Sequence, residues 1–371
     1  MRVLLCTPYE TGSRIASGGI TMWARNIMDY YKMSKGSSLI VDVQPFDRNT
    51  FINENTSLLR RILSGIKEYL HNVYKASNSL KRNSYDVVHL NTSASLSLLK
   101  DLVMIMVAHR HGARIVLHFH FGRIPQLMEQ NNWESKLLKS VLKRADSVIT
   151  MDNKSFAKLK ELGCGNVFYL PNPLSLNIIH QISGIKESVN IIPRSILFVG
   201  HVIKSKGVFE LVEATRGLNN STLKIIGKYS EETKKQLLSI NKDVTLCGEM
   251  QHELVIKEML SADIFVLPSY TEGFPNVILE SMACGCTIVG TSVGAIPEML
   301  GMDEQQPSGI VIPAKNTCLL HNVLDILLND DKSRLLYKER AVNRVNTLYA
   351  IDVVWKDLTD IWKKCCLTCN S

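Results

Sequence analysis

Leu267-Pro-Ser-Tyr-Thr-Glu272-Gly273-Phe274-Pro275-Asn276-Val277-Ile278-Leu279-Glu280-Ser-Met-Ala-Cys-Gly285 passes from an apolar strand, through a polar loop, into a short helix. The strand ends at Leu267. Pro275 suits the first turn of a helix, where its missing N–H is not needed, and Gly285 suits the stop. Glu272 then sits in the loop and Glu280 a turn or more inside the helix. Between them the free N–H groups near Asn276 and Val277 carry the positive end of the helix dipole, a ready site for phosphate. One anion cradle thus lies between two carboxylates, each able to accept paired hydrogen bonds from vicinal hydroxyls. A nucleotide sugar has that layout: sugar hydroxyls, diphosphate, ribose hydroxyls. Two glutamates eight residues apart would by themselves decorate a helix and loop; the Gly-Phe-Pro after the first and the Ser-Met-Ala-Cys-Gly ending set this pair apart.

Outward from this stretch, strand-like and helix-like runs alternate. Residues 2–6, 40–43, 87–90, 115–118, 147–150 and 167–170 read as short buried strands, with amphipathic stretches between them at 22–33, 58–80, 96–109 and 133–143. The pattern restarts at 195–199, 223–226, 244–247, 264–267, 287–290 and 309–312. Strands apolar along their whole length, alternating with helices, imply two parallel sheets covered on both faces. Pro171-Asn172-Pro173 breaks the pattern, since proline removes a donor and disfavours helix in the residue before it. Two α/β domains are therefore expected, 1–172 and 173–349, with a last helix within about 350–371. Ligands of such sheets bind beyond the carboxyl ends of the strands, so two domains facing each other across a cleft would hold two substrates.

At 371 residues the chain suits two domains, and 45% hydrophobic with 21% charged residues suits a soluble globular protein. The formal charge of +8 favours anionic partners. The N-terminal run reads as a strand with no signal peptide, and no apolar window reaches the ~18–20 residues that span a bilayer. The nine cysteines lack framework or zinc spacing and read as reduced thiols. Neither sheet opens with Gly-x-Gly-x-x-Gly, which disfavours a dinucleotide-dependent oxidoreductase.

The string around Glu272 and Glu280 resembles the Glu-x7-Glu motif of retaining GT-B glycosyltransferases, the group 1 (family 4) class that builds bacterial surface polysaccharides. Other pieces are similar in order and spacing. Thr7-Pro8 followed by Ser17-Gly18-Gly19-Ile20 resembles the family's N-terminal glycine pair. Ile196 to His201, with Lys206-Gly207, resembles its phosphate-binding start of the second domain, and Ser292 to Glu298 its later Gly-x-x-Pro-Glu loop. The resemblance implies that Glu272 holds hydroxyls of the transferred sugar, Glu280 the ribose, and Lys206 the departing diphosphate. It implies donor contacts from Gly18, Gly19, His201, Gly273, Phe274, Pro275, Asn276 and Val277, and places His120 beside the donor sugar. Arg14 and Arg123 stand as candidates for phosphate or acceptor contact. No metal or other cofactor is expected.

The family commonly carries arginine where this chain has His201. Either His201 substitutes as a weaker, pH-dependent donor, or Lys204 or Arg14 supplies the charge. An inactive, transferase-like binding subunit is the remaining alternative, and the Glu pair with Lys206 stands against it. A sugar-nucleotide epimerase on the same fold is the rival enzyme. In Leu117-His118-Phe119-His120, alternation points His118 and His120 to one side; metal ligation would need a third ligand that the local sequence lacks. His118 is open to a structural or a functional role, and His89 reads as structural.

Two basic amphipathic stripes complete the reading. Leu59, Ile62, Leu63, Ile66, Tyr69, Leu70 and Val73 form one helical face with Arg60, Arg61, Lys67 and Lys75 largely elsewhere. Trp133, Leu137, Leu138 and Val141 oppose Lys136, Lys139, Lys143 and Arg144. Each basic residue near an anionic membrane contributes about 1 kcal/mol. The expectation is a cytoplasmic enzyme, peripheral on the inner face of the cell membrane, using a nucleotide sugar and a lipid-linked saccharide acceptor. No nucleic-acid signature accompanies the charge.

Overall fold

The computed structural model describes residues 1–9, 18–34, 38–46, 58–93 and 95–367, without the side chains of 58–64 and 66. Arg14 and Ser17, and the side chains of Arg60 and Arg61, lie outside the described residues. The chain divides into two compact units, Met1–Pro171 with Val354–Ser371, and Asn172–Val353. The first junction falls one residue before the expected 172. The second falls inside a helix, at 353/354 and not 349/350.

In unit 1 the strands are β1 (Arg2–Thr7), β2 (Ile40–Pro45), β3 (Val87–Thr92), β4 (Arg114–Phe119), β5 (Ser147–Thr150) and β6 (Val167–Tyr169). They form one parallel sheet in the order β2-β1-β3-β4-β5-β6. Helices α1 (Gly19–Met33), α2 (Leu58–Arg82), α3 (Ser97–Arg110), α4 (Ile124–Glu129), α5 (Trp133–Leu142) and α6 (Asn153–Glu161) connect them. The side chains of Asn132 and Asp152 cap α5 and α6 by accepting from the N–H groups of Ser135 and Ser155. Every residue of β3 and β5 is buried, as expected for strands covered on both faces.

In unit 2 the strands are β7 (Ser195–Val199), β8 (Thr222–Ile226), β9 (Thr245–Gly248), β10 (Ile264–Leu267), β11 (Thr287–Thr291) and β12 (Ile310–Ile312). They also form a parallel sheet, ordered β12-β11-β10-β7-β8-β9. Its helices are α7 (Leu176–Ile185), α8 (Val208–Ala214), α9 (Glu231–Ile240), α10 (His252–Ser261), α11 (Asn276–Ala283), α12 (Ile296–Met299), α13 (Thr317–Asn329) and α14 (Asp331–Leu348). The last helix, α15 (Ile351–Leu367), begins in unit 2 and buries Trp362 in unit 1. The strand order reverses between β7 and β10, which gives a doubly wound sheet its ligand crevice.

Three local expectations change. Helix α1 starts at Gly19, not 22, because its apolar period first shows at Met22 while its opening turn holds glycine. Pro275 stands just before α11 as an extended residue (φ −75°, ψ 111°), so the proline closes the loop and Asn276 opens the helix. Leu70 and Trp133, expected on packed faces, are 65% and 56% exposed.

Candidate functional site

The reversal point of the second sheet brings two carboxyl strand ends together. Strands β7 and β10 pair at Ile196–Ile264 and Leu197–Phe265, and the chain after each carries one of the expected residues. After β7, a short 3-10 turn, Lys204–Lys206, presents Lys206. After β10, the loop presents Glu272. Lys206 Nζ lies 2.6 Å from Glu272 Oε1, and the Ser269 hydroxyl donates to the same oxygen at 2.6 Å. The Glu272 side chain is 11% exposed and that of Lys206 26%, so both are held yet reachable. The Tyr270 N–H donates to the Ser205 carbonyl at 2.9 Å and ties the two loops.

Glycines allow this approach. A Cβ on Gly207 (φ +68°) would lie 2.0 Å from the Pro268 carbonyl oxygen. One on Gly294 (φ +55°) would lie 2.5 Å from the carbonyl oxygens of both Glu272 and Gly273, and the Ala295 N–H donates to Gly273 at 2.8 Å. The Gly-x-x-Pro-Glu loop therefore braces the Glu272 loop from behind. Asn172 Nδ2 donates to Asn276 Oδ1 at 3.0 Å and to the Phe274 carbonyl at 3.4 Å. Phe274 is buried against Tyr349, with ring centroids 5.8 Å apart. Phe274 and Pro275 thus act as packing for the loop, and the backbone of Asn276 and Val277 opens α11.

Glu280 is buried one turn into α11, and His252, the first residue of α10, reaches it: Nε2 to Oε1 is 3.3 Å. The hydrogen bond to Glu280 raises the His252 pKa against the opposing effect of burial. A pKa raised in the folded state stabilises below the unfolded value of ~6.5 and loses that contribution as pH rises through the raised value. With the His252 side chain 47% exposed, the pair is screened and contributes about 0.2–1 kcal/mol. Thermal melts should show wild type more stable than His252→Gln below about pH 6, with the gap closing at higher pH. A gap independent of pH would mean that the pair does not act through charge.

In unit 1, His89, His118 and His120 gather around Trp23. The Trp23 ring stacks on His89 (centroids 5.4 Å) and meets His118 and His120 edge-on, and the His118 and His120 rings are 4.0 Å apart. Burial pushes His89 and His120 down to about 3 and His118 well below its usual value, so the cluster is neutral at physiological pH. Asn91 Oδ1 lies 3.1 Å from His89 Nε2 and 3.0 Å from His120 Nε2, and its Nδ2 donates to the Thr7 hydroxyl at 2.8 Å. Trp362 donates from Nε1 to His89 Nδ1 at 2.9 Å.

Gly18, Gly19, Arg123 and His201 are the remaining expected residues. Gly18 and Gly19 are exposed at the start of α1. Arg123 precedes α4, 57% exposed, 4.0 Å from Glu134 Oε1. His201 is exposed just after Gly200, and the next residue, Val202, donates its N–H to the Lys228 carbonyl at 3.0 Å. Sequence reading missed Lys228 as a neighbouring cation, although its place after the apolar run of β8 mirrors that of His201 after β7. It also missed His252 and the Asn91–His89–Trp362 chain. A cavity of about 540 Å³ lined by Lys139, Lys143, Asp146 and Cys164 opens at the amino ends of β5 and β6, the opposite edge from His120.

Family models describe the chain as Glycosyltransferase Family 4 over residues 41–177 and Glycosyl transferases group 1 over 179–344. The chain belongs to this glycosyltransferase family. It is 28% identical over 200 residues to a Bacillus subtilis glycosyltransferase assigned to teichuronic acid biosynthesis, covering 52% of this chain and 48% of that protein. It is 28% identical over 176 residues to a Campylobacter jejuni N-acetylgalactosaminyltransferase named for a diphospho-undecaprenol acceptor, covering 45% and 46%. These matches span about half the length of the curated relatives. The fold is that of GT-B enzymes. Anabaena HepE solved with UDP superposes with a TM-score of 0.73 at 16% identity, over 98% of this chain and 100% of that one. Its UDP-glucose complex gives 0.69 at the same identity and coverage.

Proposed function

We propose that the protein is a retaining glycosyltransferase that moves a sugar from a UDP- or GDP-linked donor to a hydroxyl of a lipid-linked glycan in surface polysaccharide synthesis. The observation that carries this reading is the Lys206–Glu272 pair at the reversal point of the second sheet. In a nucleotide sugar the phosphate and the sugar ring are joined through one anomeric oxygen. The group that neutralises the leaving phosphate and the group that holds the ring hydroxyls must therefore be neighbours, and here they are 2.6 Å apart. Glu280, buried farther along the same segment, takes the ribose. The backbone at Asn276 and Val277 takes the diphosphate, with His201 as a further donor beside it. Gly18, Gly19 and Arg123 line the substrate path of unit 1, and His120 meets a substrate hydroxyl there. Lys206 and the helix N–H groups supply the counter-charge that a metal provides in other enzymes.

The UDP and UDP-glucose complexes of HepE and the lipid-diphosphate acceptor named for the Campylobacter relative favour this substrate pair. Among the described residues no helix is long and apolar enough to cross a membrane, so a lipid-linked acceptor would be met at a surface. Helix α3 packs against α2 and α5 and, with Leu96 just before it, exposes an apolar stripe of Leu99, Val103 and Met106. Lys67 on α2 and Lys136, Lys139 and Lys143 on or beside α5 are exposed on the helices that flank it. An apolar stripe among cations suits the anionic inner face of the cell membrane.

The test is transfer of labelled sugar from a panel of UDP- and GDP-sugars to a lipid-linked saccharide carried in anionic vesicles. Transfer is expected with chelator present, with retained anomeric configuration. It should weaken between 0.1 and 1 M salt as the Debye length falls from ~10 to ~3 Å. Conversion of the donor without acceptor would indicate an epimerase instead, and transfer restored only by added metal would remove Lys206 as the counter-charge.

A further inference from the structure

We propose that Trp362 and His89 are positioning residues that fix the proton of His120 on Nε2, so that its Nδ1 stands as an acceptor for a substrate hydroxyl. The inference rests on the reading of His120 as a substrate contact, and it starts from a donor with no alternative. An indole N–H only donates. Trp362 Nε1 is 2.9 Å from His89 Nδ1, so that nitrogen holds a lone pair. Burial keeps His89 neutral, and its single proton is therefore on Nε2.

That proton points at Asn91 Oδ1, 3.1 Å away. The other end of the Asn91 amide agrees: Thr7 Oγ1 turns its own proton to the Pro8 carbonyl at 3.5 Å and accepts from Asn91 Nδ2 at 2.8 Å. Oδ1 accepts only, and His120 Nε2 is 3.0 Å from it. His120 must donate there too, and a neutral His120 then keeps its lone pair on Nδ1. His120 itself is half-buried, whereas His89, Asn91 and Trp362 are buried. The chain of bonds thus runs from the last helix, across the floor of the sheet, to the one member that solvent reaches.

The arrangement has one coherent alternative. If His89 carried its proton on Nδ1, it would face the indole N–H proton to proton, and its Nε2 lone pair would face Asn91 Oδ1. The amide would have to turn over, and His120 would have to move its proton to Nδ1 to accept from the amide. The two tautomers switch together, and Trp362 selects between them. His120 so held accepts a hydrogen bond and orients a hydroxyl, and it does not shuttle protons at neutral pH.

Long-range proton–nitrogen spectra of the full chain, assigned with His89→Gln and His120→Gln, read the tautomers directly. Both rings should be protonated on Nε2 in wild type. Trp362→Phe, or benzothienylalanine at 362 should the phenyl ring leave the chain unfolded, removes the N–H and keeps an aromatic ring. His120 should then populate the Nδ1-protonated form, and kcat should fall about tenfold with little change in donor KM. Protonation of His120 on Nδ1 in wild type, or an unchanged His120 spectrum in the variant, overturns the proposal. A shifted tautomer with unchanged kcat supports the chain of bonds and overturns the substrate contact of His120.

Discussion

Lys206→Ala is expected to lower kcat on the order of 100–1,000-fold in a chain that remains folded, the usual cost of losing one donor aimed at developing charge. The Lys206 ammonium is set by a 3-10 turn whose last residue precedes Gly207, and it lies 2.6 Å from Glu272 Oε1. Glu272 keeps the Ser269 hydroxyl after the substitution, so its carboxylate is not stranded and the fold persists. Donor KM should change little, because the charge on the diphosphate grows mainly as the glycosidic bond breaks. Glu280→Ala should do the reverse. A lost charged hydrogen bond of ~1.5–3 kcal/mol weakens nucleotide binding about 10–150-fold. The two variants, assayed side by side for turnover and for nucleotide affinity by calorimetry, separate chemistry from binding. If Lys206→Ala turns over within a few-fold of wild type, the counter-charge lies elsewhere, with Lys204 on the same turn and Lys228 after β8 the next candidates.

How much of this was legible depends on the range of the interactions. The twelve strands among the described residues were readable because parallel strands covered on both faces are apolar throughout, and Ser147–Thr150, Ser195–Val199 and Ile264–Leu267 fall where the sequence placed them. The stop of α11 was readable because Gly285 adopts φ +76°, which penalises other residues. The Glu272 and Glu280 positions were readable because a strand, a loop and a helix follow one another within a single segment. What escaped was non-local. His89 looked like a lone core histidine because its decisive partner, Trp362, lies 273 residues on. His252 drew no reading because nothing in its own segment announces Glu280. Leu70 and Trp133 completed helical faces in the sequence, yet a period of 3.6 marks an apolar side without saying whether anything covers it.

Gly207→Ala should destabilise unit 2 by about 2–5 kcal/mol and lower turnover with it, because two costs fall on one methyl group. The first is conformational. Gly207 has φ +68°, where an L side chain costs roughly 1–2 kcal/mol. The second is steric. The added Cβ would sit 2.0 Å from the Pro268 carbonyl oxygen and 2.7 Å from its carbon, which are backbone atoms with no rotamer to escape into. Overpacking of this kind costs typically 1–3 kcal/mol. Relief requires the Lys204–Lys206 turn to move off the end of β10, which pulls Lys206 from Glu272 and breaks the Tyr270–Ser205 bond. At ~2–4 °C per kcal/mol the melting transition of that unit should fall by about 4–20 °C. Gly217 separates the two costs. It has φ +76°, and an added methyl would meet nothing within 4 Å, so Gly217→Ala carries the conformational cost alone, about 1–2 kcal/mol, and should leave kcat untouched. Equal losses of stability in the two variants would mean that the Pro268 contact yields at little cost. Loss of turnover in Gly207→Ala alone ties the close approach of these two loops to the placement of Lys206.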